Sequence, residues 1–344
     1  MRLVNPDVNT IDEPDADGNE VRPRRRWRRA LLGFALLVVG AIIGALIFGG
    51  NAPVGHFRSA DGQDSYLAAY DEALAEGPQV SEVLTLITDY GDVRVLKYDA
   101  SDPAAVEADP LVLLPGTQSG APMWVDNVPS LRAERPVYVV DLLGQPGRSI
   151  QSRPIVSHED DARWLAQVIE QLPGGPTVMG HSLGGWLAMN LAVHEPDAAS
   201  RIILLDPVLT FGDLSFDAIV RSIPASVPWT PRSWRDDFAS WTANDAPVDD
   251  EPVAEMIEAG MQHYALGAPD PTRFSDEQLS GVRGPVLVIM AGQSRMHDSA
   301  AAADVAGTVL AQGMVLTYDD ASHAINGEEP DRIAQDVDEF LKQD

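Results

Sequence analysis

Gly180-His181-Ser182-Leu183-Gly184-Gly185 is the segment of this chain best suited to do chemistry. It follows a short apolar run, Thr177-Val178-Met179, and precedes a helical stretch, Trp186 to Ala192. A serine in G-x-S-x-G between strand and helix sits on a turn so tight that the residues two away on either side must lack side chains. Gly180 and Gly184 fill those places, and Gly185 lets the helix pack close to the sheet. The helix N-terminus then aims free N–H groups and its positive dipole end at the serine oxygen. Such a serine is placed to attack a carbonyl, and the N–H of Leu183 is placed to receive the oxyanion that results.

A serine hydroxyl is a weak nucleophile at neutral pH and needs a base within hydrogen-bond reach. Of the seven histidines, only His323 lies at a strand end late in the chain among small neighbours, Ala321 and Ser322. His181 abuts the serine, but adjacency along a tight turn points the two side chains apart. His158 and His194 fall at helix ends, as caps or in solvent. His323 is the expected base.

The elements that must hold these residues follow a rhythm. Apolar runs recur at Leu111–Leu114, Val137–Val140, Thr177–Met179, Ile202–Leu205, Val286–Met290 and Met314–Thr317. Helical patterns separate most of them, at His158–Leu172, Leu183–His194, Ala300–Leu310 and Asp331–Leu341. Strands apolar on both faces with helices between them imply an α/β fold, a doubly wound and mostly parallel sheet. Its reactive groups gather at the carboxyl ends of the strands. Ahead of this region, Asp64–Glu76 reads as a helix, and Val83–Thr88 with Val93–Tyr98 as a hairpin.

Between Pro207 and Gly284 the rhythm stops. The interval contains Phe211, Phe216, Trp229, Trp234, Phe238, Trp241, Met256 and Met261, and a structureless loop of that length is improbable. It is expected to be a mainly helical insertion, and its entry at a strand end makes it a candidate lid. The expected division is therefore a core over 80–206 and 285–344, a cap over 207–284, and a linker with a short helix over 51–79.

The N-terminus differs from the rest. Residues 1–29 hold seven arginines and six acids, reading as a disordered tail that ends in the cluster Arg22 to Arg29. Residues 30–50 follow with no charge and are rich in Leu, Ile, Val, Ala and Gly, enough to cross a hydrocarbon core of about 30 Å as a helix. The arginines place the N-terminus in the cytoplasm, so the reading is a single-pass signal anchor in the cell membrane with the catalytic part outside. A cleaved signal peptide is the rival reading; its n-region would be unusually long and no A-x-A site follows. Residues 30–344 carry 17 basic and 46 acidic groups, a formal −29 that repels nucleic-acid phosphate. There is no cysteine, no H-E-x-x-H and no G-x-x-x-x-G-K, so neither a metal nor a nucleotide cofactor is expected.

Over roughly residues 80–344 the chain resembles the α/β-hydrolase family. Four segments carry the resemblance. They are the serine turn, Leu111-Val112-Leu113-Leu114-Pro115-Gly116-Thr117, Asp141-Leu142-Leu143-Gly144-Gln145-Pro146-Gly147-Arg148-Ser149, and Ala321-Ser322-His323 after the final strand. The first of these in chain order is similar to the strand and His-Gly-x segment that supplies the family's second oxyanion donor, which implies the backbone N–H of Thr117. Pro115 stands where histidine is commoner. The family's acid usually follows the strand ending at Met290, but Arg295 occupies that place. Two candidates remain for the acid: Asp298 in the same loop, and Asp206 at the end of Ile202–Leu205.

The resemblance implies a serine hydrolase that cleaves a small-molecule ester through an acyl-enzyme, in the manner of carboxylesterases and lipases. An aromatic, methionine-rich cap suits an apolar group on that substrate. Peptidase, thioesterase, cofactor-free peroxidase and carbon–carbon hydrolase chemistry use the same triad, and a catalytically weak binding or scaffold protein is the alternative from a different class.

Overall fold

The computed structural model describes residues 52–248 and 251–343. The tail and arginine cluster of 1–29 and the uncharged stretch 30–50 lie outside the described residues. Among the described residues no helix is long and apolar enough to cross a membrane.

The chain opens with β1 (His56–Phe57), α1 (Ala60–Glu76), the hairpin β2 (Glu82–Thr88) and β3 (Gly91–Tyr98), and β4 (Leu111–Leu114). Next come α2 (Val128–Leu131), β5 (Val137–Val140), β6 (Ile150–Gln151), α3 (His158–Ile169), β7 (Thr177–His181), α4 (Leu183–His194) and β8 (Arg201–Leu205). The insertion forms α5 (Phe216–Ala225), α6 (Arg232–Thr242), α7 (Pro252–His263), β9 (Tyr264–Ala265) and α8 (Asp276–Ser280). The chain then returns through β10 (Val286–Ala291), α9 (Ser299–Val309), β11 (Gly313–Tyr318), α10 (Ile325–Glu328) and α11 (Pro330–Leu341).

Strand order in the main sheet is β11-β10-β8-β7-β4-β5-β3-β2, with β6 paired to β3. The run from β11 to β5 is parallel, and β3 joins β5 antiparallel. From β4 the chain steps to β5 on one side, then crosses back past β4 to β7 on the other. Loops leaving β4 and β7 therefore diverge, and a crevice opens at their carboxyl ends. Register brings the neighbouring ends level: His181 lies opposite Leu205, and Leu205 opposite Ile289.

Alternation along these strands feeds two cores. Val112, Val178, Leu204 and Val288 face α3, α4 and α9 through Trp164, Trp186 and Ala302. Leu113, Met179, Ile203 and Ile289 face α1 and α11 through Tyr66, Tyr70, Ile333 and Phe340. The strands read as unbroken apolar runs because both faces are covered.

Two local features differ from expectation. The linker expected ahead of Asp64 is not free of structure: His56 and Phe57 pair with Ala265 and Tyr264, and the Ala52 N–H donates to the Leu266 carbonyl at 2.8 Å. The helix that follows begins at Ala60 rather than Asp64 because the Ser59 hydroxyl caps it, accepting from the Gly62 N–H. The insertion is helical, as its composition suggests, but its aromatics divide. Trp241 and Met256 are buried, whereas Phe216 and Trp229 are each 78% exposed. Buried Arg235 ties α6 to α7 through Glu258 at 2.6 Å.

Candidate active site

Ser182 occupies the turn between β7 and α4 with φ +54° and ψ −115°, a conformation L-residues rarely adopt. The turn is closed from both sides. A Cβ on Gly180 would lie 2.1 Å from the Gly184 backbone, and one on Gly184 would lie 2.1 Å from the Leu114 carbonyl oxygen. The Ser182 N–H donates to Leu205 O at 3.0 Å, continuing the β7–β8 ladder one residue past the strand. Strain of this kind, of order 1–3 kcal/mol, persists only where surrounding structure imposes it.

His323 arrives from the loop after β11, and its Nε2 lies 3.0 Å from Ser182 Oγ. On the opposite edge of the ring, Nδ1 lies 2.6 Å from Asp206 Oδ2. A carboxylate only accepts, so Nδ1 carries the proton and Nε2 is free to accept from the serine hydroxyl. The main chain of His323 is held as well. His181 Nε2 donates to its carbonyl at 2.7 Å, and the Ser322 N–H and hydroxyl before it both donate to Glu328. Burial, reinforced by nearby His323, lowers the His181 pKa to about 3, so that ring is neutral and serves as a strut.

Asp206 is wholly buried at the end of β8, with φ +39°. Its Oδ1 accepts from the Ala291 N–H and from His297 Nε2, each at 3.1 Å. Burial alone would raise its pKa, but the hydrogen bonds from His297 and His323 outweigh it and hold the carboxyl well below the usual range. Asp298, the other candidate, does not reach His323. Its side chain caps α9, accepting from the Ala301 N–H at 3.1 Å. Arg295, at the position expected of an acid, forms a two-pronged pair with Asp245 of the insertion, both contacts at 2.8 Å.

The loop after β4 closes over the serine. A Cβ on Gly116 would stand 3.7 Å from Ser182 Cβ. Gly116 N–H is engaged by Met123 Sδ and Gln118 N–H by Gln145 Oε1, with the Thr117 N–H between them. Thr117 and Leu183 both line the cavity that holds Ser182 and His323. That cavity measures about 390 Å³, and its walls include Leu143, Trp186, Leu214, Phe238, Ile257 and Met261. Asp141, from the segment quoted for the resemblance, is a structural anchor. Buried beside the site, it accepts from the Ala121 and Arg148 N–H groups and from the Tyr70 hydroxyl.

Two residues of this arrangement carry no motif of their own. His297 falls in a loop whose only sequence signal is a missing acid, and adjacency along the turn predicts that His181 points away from Ser182. It does point away, and reaches the backbone of His323 instead.

Comparison with known proteins agrees with this fold. Carboxylesterase YbfK of Bacillus subtilis (strain 168) is 25% identical over 294 residues, 83% of this chain and 96% of that protein. A second protein of that strain, named uncharacterized carboxylesterase nap, is 26% identical over 284 residues, 80% of this chain and 92% of its own. The crystal structure of naproxen esterase (carboxylesterase NP) from Bacillus subtilis superposes with a TM-score of 0.75 at 24% identity, covering 83% of this chain and all of that one. The alpha/beta hydrolase family profile matches residues 111–336. That span takes in the parallel strands, the insertion and Ser182, His323 and Asp206, and the chain belongs to the alpha/beta hydrolase family.

Proposed function

We propose that this protein is a carboxylesterase working through an acyl-enzyme on Ser182. The observation that carries the reading is the unbroken chain from Ser182 Oγ through the His323 ring to Asp206, at 3.0 and 2.6 Å. In this reading His323 takes the hydroxyl proton as Ser182 attacks the ester carbonyl. Asp206 holds the ring in the required tautomer and stabilises the imidazolium. The N–H groups of Thr117 and Leu183 receive the oxyanion. His323 then protonates the departing alcohol, and a water activated by the same ring releases the acid. The apolar walls suit an ester with an apolar group, and the named carboxylesterase relatives support the substrate class.

A fluorophosphonate probe and a series of p-nitrophenyl esters test this. Wild type should label and turn over, while Ser182→Ala should do neither and His323→Ala should lose turnover with its fold intact. A folded wild type that neither labels nor hydrolyses any ester would instead favour a binding role for the fold.

The proposed location rests on the sequence alone. Residues 30–50 are proposed to anchor the protein in the cell membrane, with residues 1–29 in the cytoplasm and the catalytic unit outside. Resistance of the full chain to alkaline carbonate extraction, and its loss in a chain starting at Ala52, is the expected result. Extraction of the full chain with the soluble fraction would overturn it.

A further inference from the structure

Of the two carboxylates that line the cavity and take no part in the mechanism above, Asp270 is exposed and Asp161 is buried. Asp161, in the first turn of α3, is 2% exposed and lines the same cavity as Ser182 and His323. Trp164 Nε1 donates to its Oδ1 at 3.2 Å. Among the described residues no cation pairs with it, and the adjacent carboxylate, Asp160, is occupied by the Tyr90 hydroxyl and the Val156 N–H. Trp186, one turn beyond Ser182 on α4, lines the cavity as well and packs edge-on against His158 at the start of α3.

A carboxyl so placed is costly. It is out of water, half its hydrogen-bonding capacity is unused by the protein, and its charged neighbour repels it. Burial, lessened by the Trp164 N–H and increased by Asp160, pushes its pKa up to about 7. Near neutrality the group can therefore donate a hydrogen bond as readily as accept one. An asparagine or leucine would fill the same space without the desolvation penalty. Buried polar groups left in this condition at the wall of a ligand-sized cavity are candidates for recognising a ligand.

We infer that Asp161 forms a polar subsite for a hydroxyl at the far end of one arm of the ester, with Oδ2 as the contacting atom. A hydroxyl suits either protonation state, since it accepts from the acid and donates to the carboxylate. The substrate class is then an ester with an apolar stem and a terminal hydroxyl, in the acyl or the alcohol arm. This deepens the esterase reading of the same site and rests on it.

Matched esters test the inference. One series is p-nitrophenyl alkanoates of four to ten carbons with and without a terminal hydroxyl, and the other is acetates of the corresponding alcohols and diols. In one series wild type should favour the hydroxylated member by about 10-fold in kcat/KM, because a site built to bond a hydroxyl leaves its own polar group unpaired with the analogue. Asp161→Leu should abolish or reverse that preference and Asp161→Asn should keep part of it. Asp161→Ala substitutes should the leucine variant not fold. Equal preferences in wild type and the apolar variant, in both series, would overturn the inference and leave Asp161 as the anchor of Trp164 alone. Loss of the esterase reading is separable, since it would appear as no Ser182-dependent hydrolysis of any ester. The subsite would then be judged by calorimetric binding of hexane-1,6-diol against hexan-1-ol. A diol preference lost in the apolar variant supports it, and no preference refutes it.

Discussion

Asp206 stands between two imidazoles: His297 Nε2 donates to one carboxylate oxygen at 3.1 Å, and His323 Nδ1 to the other at 2.6 Å. Three donors, counting the Ala291 N–H, thus meet one buried carboxylate. The hydrogen bond from His297 fixes the plane of the acid, and that plane sets the angle at which His323 faces Ser182. His297→Ala should lower kcat about 10-fold with little change in KM, the scale of one hydrogen bond to a charged group. A kcat equal to wild type in steady-state assays would show that the Ala291 N–H and His323 suffice to orient the acid.

The two candidate acids should behave very differently. Asp206→Asn presents an amide to Nδ1 and favours the wrong tautomer, so kcat should fall by about 10⁴. Asp298→Asn keeps a good helix cap, and both kcat and thermal stability should stay near wild type. Comparable kcat values for the two variants would remove Asp206 from the proposed triad.

Glycine positions offer a sharp contrast in stability. Gly184→Ala drives a Cβ to 2.1 Å from the Leu114 carbonyl oxygen, where backbone lies on both sides of the clash. The loss should be at least about 3 kcal/mol, and labelling by the fluorophosphonate should vanish with it. Gly307, inside α9, has open space where a Cβ would go. Gly307→Ala should stabilise the protein by about 0.5–1 kcal/mol in chemical denaturation. A stabilising Gly184→Ala would contradict the close packing described at the serine turn.

Asp161 should leave a signature in the pH dependence of stability. Its folded pKa, about 7, is raised above an unfolded value of about 3.9. Below the unfolded value both states are protonated and the group contributes nothing. As pH rises between the two values, the unfolded chain ionises first, which favours unfolding by about 1.4 kcal/mol per unit. Above 7 the penalty is constant. The stability of Asp161→Asn relative to wild type should therefore climb from pH 4 to pH 7 and then level off. A difference independent of pH, measured by thermal melting across that range, would mean that the wild-type carboxyl ionises normally.

The glycine-flanked serine, the late histidine that meets it and the mostly parallel sheet are legible in the chain because each is marked by a local pattern. Glycines two away from Ser182, unbroken apolar runs and a histidine after the last strand all express constraints between near neighbours. The proposed membrane anchor over residues 30–50 rests on composition alone. Which aspartate meets His323, Asp206 or Asp298, lies beyond any local pattern. Both are aspartates beside strand ends, and what separates them is that β8 lies next to β7 while Asp298 turns back to cap its own helix. The partners His297 and His181, the pairing of residues 56–57 with 264–265, and the tie from Arg295 to Asp245 are likewise contacts across long sequence separations. Only folding supplies those distances, because hydrogen-bond partners so far apart along the chain leave no periodicity for a sequence to display.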